Sequence, residues 1–108
     1  MTESAHPRLR LDDSFASPIR FSLMAALGED LELDFGALAD ILQVNDSALS
    51  KAIAALEQVT YLRVRKGYAG TRPRTWVTST ETGRRAFRAH VEALRAIVDF
   101  DAGGGRRS

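Results

Sequence analysis

The chain has 108 residues, no cysteine, and a formal charge of only +1 from 15 basic and 14 acidic side chains. That length gives one domain with a single modest core, and the lack of cysteine excludes disulfide scaffolds, thiolate metal sites and thiol nucleophiles. The longest apolar runs are too short for a membrane span and no signal-peptide apolar region opens the chain, so the expectation is a cytoplasmic protein with no membrane partner.

Residues 1–10 are polar, contain Pro7 and show little periodicity, which predicts a flexible arm that ends in a docking segment through Leu9 and Leu11. Residues 11–100 then form one domain. A helix opens at Ser17-Pro18, because serine can cap free amide groups and proline suits the first helical position. It continues through "IRFSLMAAL", with Ile19, Leu23, Met24 and Leu27 inward, and Gly28 ends it. Leu31 to Leu33 reads as a short edge strand. Asp34 caps the second helix, Leu33 and Leu38 have the spacing of a hydrophobic staple, and Phe35, Leu38, Ile41 and Leu42 form the buried stripe.

Only Gln43 and Val44 separate this helix from the next, which Asn45 caps. In "DSALSKAIAALEQVTYL", Leu49, Ile53 and Leu56 face inward at i, i+4 and i+7, while Ser47, Ser50, Lys51 and Ala54 face out. Two short capped helices joined by a tight turn make a helix-turn-helix, in itself a weak signal. After Tyr61 the period becomes alternating: Leu62 and Val64 share one face, Arg63 and Arg65 the other. Gly67, Gly70 and Pro73 break both regular structures, which predicts a long irregular tip over "GYAGTRPR" before "TWVTST" resumes the strand. Thr80 to Gly83 opens a last helix to about Phe100, with Phe87, Val91, Leu94 and Val98 on a coiled-coil-like seam widened by His90, Ile97 and Phe100. Residues 101–108, "DAGGGRRS", read as a disordered tail.

Charge is segregated along this order. Residues 29–57 hold seven acids against Lys51 alone, a balance of −6, whereas residues 58–80 hold Arg63, Arg65, Lys66, Arg72 and Arg74 with no acid. Residues 84–95 add a further balance of +3. Local patches of this kind govern electrostatic binding more than the total does. A helix, a helix-turn-helix and a basic hairpin, in that order, are the winged-helix arrangement: a mainly α fold with a β-hairpin wing and a long C-terminal helix.

The stretch "ALADILQVNDSALSKAIAALEQVTYLRVRKGYAGTRPRTWVTSTETGRRAF" resembles the small winged-helix transcriptional regulators related to the MarR group. The resemblance runs from about Leu11 to Ile97, and its most specific parts are "SALSKAIAALE", "YLRVRKGYAGTRPRTWVTSTETGR" and the upstream "LDDSFASPIR". It implies a three-helix core, a two-stranded wing, a homodimer built from the terminal segments, and a bacterial or archaeal setting. Two positions depart from the pattern. Ser79 stands where such regulators usually have leucine, and Ala54 where many have a larger polar residue.

The expected function is that of a sequence-specific regulator, a repressor, bound as a homodimer to a pseudo-palindromic double-stranded DNA operator. A recognition helix entering a groove about 12 Å wide needs a small, polar outer face, which Asn45, Ser47, Ala48, Ser50, Lys51 and Ala54 supply. Arg63, Arg65, Lys66, Tyr68, Thr71, Arg72 and Arg74 are the wing residues expected on the backbone or in the minor groove. Leu9, Leu11, Phe87, His90, Val91, Leu94, Ile97 and Val98 are expected at the dimer interface. Trp76 reads as packing under the wing. Arg84, Arg85 and Arg88 either extend the phosphate track or form the wet face of the last helix.

No catalytic constellation, metal set or cofactor motif is present in the sequence, and none is expected. Phe15, Phe21 and Met24 either line a pocket for a small-molecule effector or belong to the core. The alternative from another class is a winged helix that docks a protein without specific DNA binding.

Overall fold

The computed structural model describes residues 5–29 and 31–100; the tail expected over residues 101–108, and residues 1–4 of the arm, lie outside them. The elements are α1 (Pro18–Leu27), β1 (Leu33–Asp34), α2 (Phe35–Leu42), α3 (Asp46–Gln58), β2 (Leu62–Ala69), β3 (Arg72–Ser79) and α4 (Glu81–Asp99), preceded by 3-10 turns at Pro7–Arg10 and Asp13–Phe15.

Each helix starts where a short polar side chain satisfies amides that have no partner within the helix. Ser17 accepts from Ile19 and Arg20, Asp34 from Ala37 at 2.6 Å, Asn45 from Ala48 at 2.8 Å and Thr80 from Gly83 at 2.9 Å. Helix α2 ends at Gln43, which adopts the left-handed conformation and returns its N–H to Ala39 and Asp40. That single residue turns the chain tightly enough for Asn45 to open α3.

The inward faces meet in one core containing Phe15, Leu23, Met24, Leu27, Leu38, Leu49, Ile53, Leu56, Leu62 and Val77. Each buried leucine of this kind contributes roughly 1.5–3 kcal/mol. The expected α3 stripe of Leu49, Ile53 and Leu56 is buried, which fixes the opposite face toward solvent. Ile41, expected inward on α2, is instead exposed.

The wing differs from its expectation in two respects. Its sheet has three strands in the order β1-β3-β2, all antiparallel, with Leu33 opposite Val77 and Asp34 opposite Trp76. Its tip is short, because the strands run through both expected breakers. Gly67 pairs with Arg74 and Tyr68 with Pro73, leaving only Gly70 and Thr71 as the connection. Gly70 has φ +66°, at the position where a two-residue hairpin favours glycine. Pro73 is tolerated because the alternation of an antiparallel ladder turns its nitrogen away from β2, and β1 pairs only as far along β3 as Trp76.

The N-terminal segment packs back onto α4. Pro7 is buried, and the His6 and Phe100 rings meet edge to face at 4.7 Å. The Asp12 N–H donates to His90 Nδ1 at 3.0 Å, and the Tyr61 hydroxyl donates to Asp12 Oδ2 at 2.6 Å. Phe15 stacks on Tyr61 and meets Phe87 edge to face. Tyr61 therefore joins the end of α3 to a segment 49 residues earlier. Its carbonyl accepts from Thr80, and Gly83 lies so close that a Cβ there would stand 2.3 Å from that oxygen. Only glycine lets α4 begin at this point.

Burial pushes the Asp12 carboxyl up, but hydrogen bonds from Tyr61 and Ser14, with His90 nearby, outweigh it and leave it below its ordinary value. The hydrogen bond to Asp12, with burial and the carboxylate charge, pushes the Tyr61 hydroxyl up to about 12. A folded value raised above the unfolded one contributes stability that is complete below pH 10 and lost as pH rises through about 12. Tyr61→Phe should therefore lower the unfolding free energy measured in urea at neutral pH by about 1–2 kcal/mol, and the gap to the parent protein should close between pH 10 and 12. A gap that stays constant over that range would contradict the assigned bond.

Candidate nucleic-acid interface

Helix α3 presents Ser47, Ser50, Lys51, Ala54 and Ala55 to solvent, with Ala48 half-buried at the edge of the same face. Asp46 is the one acid among the first turns of this face, and it sits at the helix N-terminus, where the dipole favours a negative charge. Asn45 spends its side-chain oxygen on the Ala48 N–H, so its amide NH2 is what remains to face a ligand. Beside α3, the start of α1 adds a cation that the sequence reading passed over. Arg20 shares a shallow cleft with Ala48 and Lys51, and its guanidinium is steered by the carbonyls of Ser14 and Asp13.

The register of the hairpin sorts the wing cations. Arg63, Arg65, Arg72 and Arg74 all fall on one face, together with Trp76, because Arg65 pairs with Trp76, Gly67 with Arg74 and Ala69 with Arg72. Lys66 and Tyr68 project from the other face, which continues toward the core through Val64 and Leu62. Trp76 is thus not under the wing against the core, as the sequence suggests. It is half-buried on the outer face, where the Arg65 guanidinium lies 4.2 Å from its ring centroid and Gly67 leaves room for its edge.

Two of the four arginines already have anionic partners. Arg65 donates from Nε and Nη2 to both Glu32 oxygens, at 3.1 and 2.9 Å, and Arg74 pairs with Asp34 at 2.5 Å. The Arg65 guanidinium holds the Glu32 carboxyl below its ordinary value. Among the described residues, Arg63, Lys66 and Arg72 have no carboxylate partner. Three of the four arginines of α4 are engaged as well: Arg85 with Glu81, Arg88 with Glu29, and Arg84 with the carbonyl and hydroxyl of Ser79.

Ser79 closes the base of the wing through polar contacts where the resembling regulators have leucine. It is 6% exposed, donates from Oγ to the Gly28 carbonyl at 2.8 Å and receives Arg84 on its own oxygens. The buried hydroxyl is fully partnered, so wing packing is kept with different chemistry.

The residues expected at a dimer interface divide into two groups. Leu9 and Val98 are 65% and 79% exposed, and Leu94 is 36% exposed. His90 is 5% exposed and Phe87 packs against the core, so both face inward in the single chain. Leu11, Asp12, Phe15, Phe21, His90 and Leu94 are among the residues around an open cavity of about 500 Å3 between the N-terminal segment, α1 and α4. Met24 lies in the core and reaches a separate cleft of about 160 Å3. Among the described residues no group of three or more metal-ligating side chains occurs, and no helix is long and apolar enough to cross a membrane.

A family model described as a winged helix DNA-binding domain matches residues 19–98. No protein of curated function matches the sequence. Among solved structures, the fold is similar to the transcriptional regulator homologue from Pyrococcus horikoshii OT3, with a TM-score of 0.75, 25% identity, and coverage of 82% of this chain and 87% of that one. The regulator BldR from Sulfolobus solfataricus is similar at a TM-score of 0.64 and 28% identity, over 77% of this chain and 58% of its own length. Sco3205 of Streptomyces coelicolor, a MarR family transcriptional regulator solved in complex with DNA, has the same fold at a TM-score of 0.63 and 24% identity, over 94% and 68%.

Ser79→Ala should cost about 1–3 kcal/mol, since it leaves the Gly28 carbonyl without its donor and removes one acceptor from Arg84. Urea denaturation checks this, and a loss below about 0.5 kcal/mol would show that the hydroxyl does not hold the base of the wing.

Proposed function

This chain belongs to the winged helix DNA-binding domain family, and from that premise we propose that it is a sequence-specific DNA-binding regulator that represses transcription as a homodimer. The observation that carries the reading is the pairing of surfaces: an outer α3 face of small and hydroxyl side chains with Lys51, beside a wing whose four arginines share one face. Helix α3 enters the major groove, where serine hydroxyls and Lys51 meet base edges or phosphates. The wing lies on the adjacent backbone and minor groove, with Arg72 next to its tip and Arg63 and Lys66 nearer its base. Tyr68 and Thr71 add contacts near the tip.

The dimer supplies the symmetry that a pseudo-palindrome requires. Exposed Leu9, Leu94 and Val98 form the unpartnered apolar surface of α4 and the N-terminal segment, and such surface marks association sites. Leu11, Val91 and Ile97, only partly exposed, flank it. A twofold arrangement sets two recognition helices about 34 Å apart, facing successive major grooves. Residues 11–100 form the unit that binds DNA, and Leu9 of the preceding segment joins its dimerising surface. The cavity beside Phe15 and Phe21 is the place for a small-molecule effector.

Fluorescence anisotropy on a duplex from the upstream region, beside a scrambled duplex, tests the reading. Tight binding to the first alone, weakening steeply with salt, is the expected result. Binding to neither at low salt would move the function to protein docking. Arg72→Ala and Lys51→Ala should each lower the magnitude of the salt slope by roughly 0.9 without changing thermal stability, because both side chains are exposed. Val98→Glu should shift the sedimentation velocity profile from dimer to monomer; an unchanged profile would place the interface elsewhere.

A further inference from the structure

The wing gathers five cations, yet two of them are already matched to carboxylates from a strand far away in sequence. Glu32 and Asp34 flank Leu33 in and before β1, 33 and 40 residues from the arginines they hold. Glu32 takes Arg65 in a two-point fork, and a guanidinium binds a phosphate through the same fork. The Arg65 side chain crosses the face of Trp76 to reach it, so the pair spans all three strands. Asp34 divides its oxygens: Oδ1 caps α2, and Oδ2 takes Arg74.

We propose that Glu32 and Asp34 are specificity-determining residues that stand in for DNA phosphates, holding Arg65 and Arg74 out of nonspecific backbone contact. The inference rests on the DNA-binding reading above and deepens it. Without the two carboxylates the wing would present five cations; with them its net charge is +3. Nonspecific affinity is set almost wholly by the number of phosphates neutralised. Biological selectivity depends on the ratio of specific to nonspecific binding. A carboxylate on the protein lowers the nonspecific side of that ratio and leaves the base contacts of α3 untouched.

The pairs are accessible enough for the exchange to be real. The Arg65 and Glu32 side chains are 55% and 39% exposed, and those of Arg74 and Asp34 are 41% and 22% exposed. A phosphate can reach either arginine. Doing so strands a carboxylate a few ångströms from the phosphate, and that like-charge contact opposes the exchange. If the pairs served only to fasten the wing, removing one carboxylate would loosen it and weaken binding. The two roles therefore predict effects of opposite sign.

The test is a salt series from about 50 to 200 mM on a short mixed-sequence duplex, with the full chain, Glu32→Gln, Arg65→Gln and the double variant. Glu32→Gln should bind more tightly at low salt, with a slope steeper by roughly 0.9, which adds about a 3.5-fold loss across that range. Arg65→Gln alone should leave the parent slope unchanged, and in the Glu32→Gln background it should remove the added 0.9. Asp34→Asn, which keeps the cap because asparagine also caps well, should steepen the slope in the same way through Arg74. Glu57→Gln, an equal charge change at the exposed end of α3, should move it much less. Trp76 is the only tryptophan, so a shift in its emission in Glu32→Gln without DNA reports release of Arg65.

An unchanged or shallower slope in Glu32→Gln would overturn the proposal. A slope already lowered by Arg65→Gln alone, or an equal gain in Glu57→Gln, would do the same. If the parent chain fails to bind any duplex at low salt, the DNA-binding reading falls and takes this inference with it.

Discussion

Thr60 and Tyr61, just before β2, hold four parts of the molecule at once. Thr60 takes a positive φ, and the Tyr61 N–H returns to the Leu56 carbonyl, so the chain leaves α3 in one fixed direction. The Tyr61 carbonyl receives Thr80, the Thr80 hydroxyl donates to Thr60, and the Tyr61 ring and hydroxyl fasten Phe15 and Asp12. A residue larger than glycine at position 83 would run into this backbone. The start of the wing, the end of the wing, the start of α4 and the N-terminal segment are therefore referred to one point. This makes the angle between α3 and the hairpin a property of the backbone, settled before any ligand arrives, and preorganisation of that kind lowers the ordering cost of binding.

On this frame the electrostatics act locally. Charge is concentrated on one wing face and removed again at two places by Glu32 and Asp34, just before and within β1. The near-neutral total of +1 is thus the sum of an acidic α2 region, a basic hairpin and a partly compensated α4. A surface cation count overstates what such a wing offers a polyanion. The relevant number is how many guanidinium groups have no carboxylate within reach.

Much of the fold was legible because its signals are local. Ser17, Asp34, Asn45 and Thr80 are capping residues placed just before apolar periodicity, and each caps the expected helix. Gly28 ends α1 with a positive φ as glycine's freedom suggests. The tip is shorter than propensity at Gly67 and Pro73 predicts, because cross-strand register decides their cost. Gly67 serves Trp76 sterically, and Pro73 sits where the ladder asks nothing of its nitrogen. The carboxylate partners of Arg65 and Arg74 and the Asp12–His90–Tyr61 group were invisible for another reason: their members are 33 to 78 residues apart. Ser79, a departure from the family pattern in sequence, has its reason in the Gly28 carbonyl, 51 residues away, to which it donates.

The central claim is that a fixed recognition helix and wing, doubled by a twofold axis, read a sequence. Selection of duplexes from a randomised pool by the purified chain tests it most directly. The account expects enrichment of an inverted repeat whose half-sites are about one helical turn apart, roughly 10 base pairs centre to centre. Recovery of a pool with no enriched sequence, at salt low enough for duplex to be retained, would contradict it.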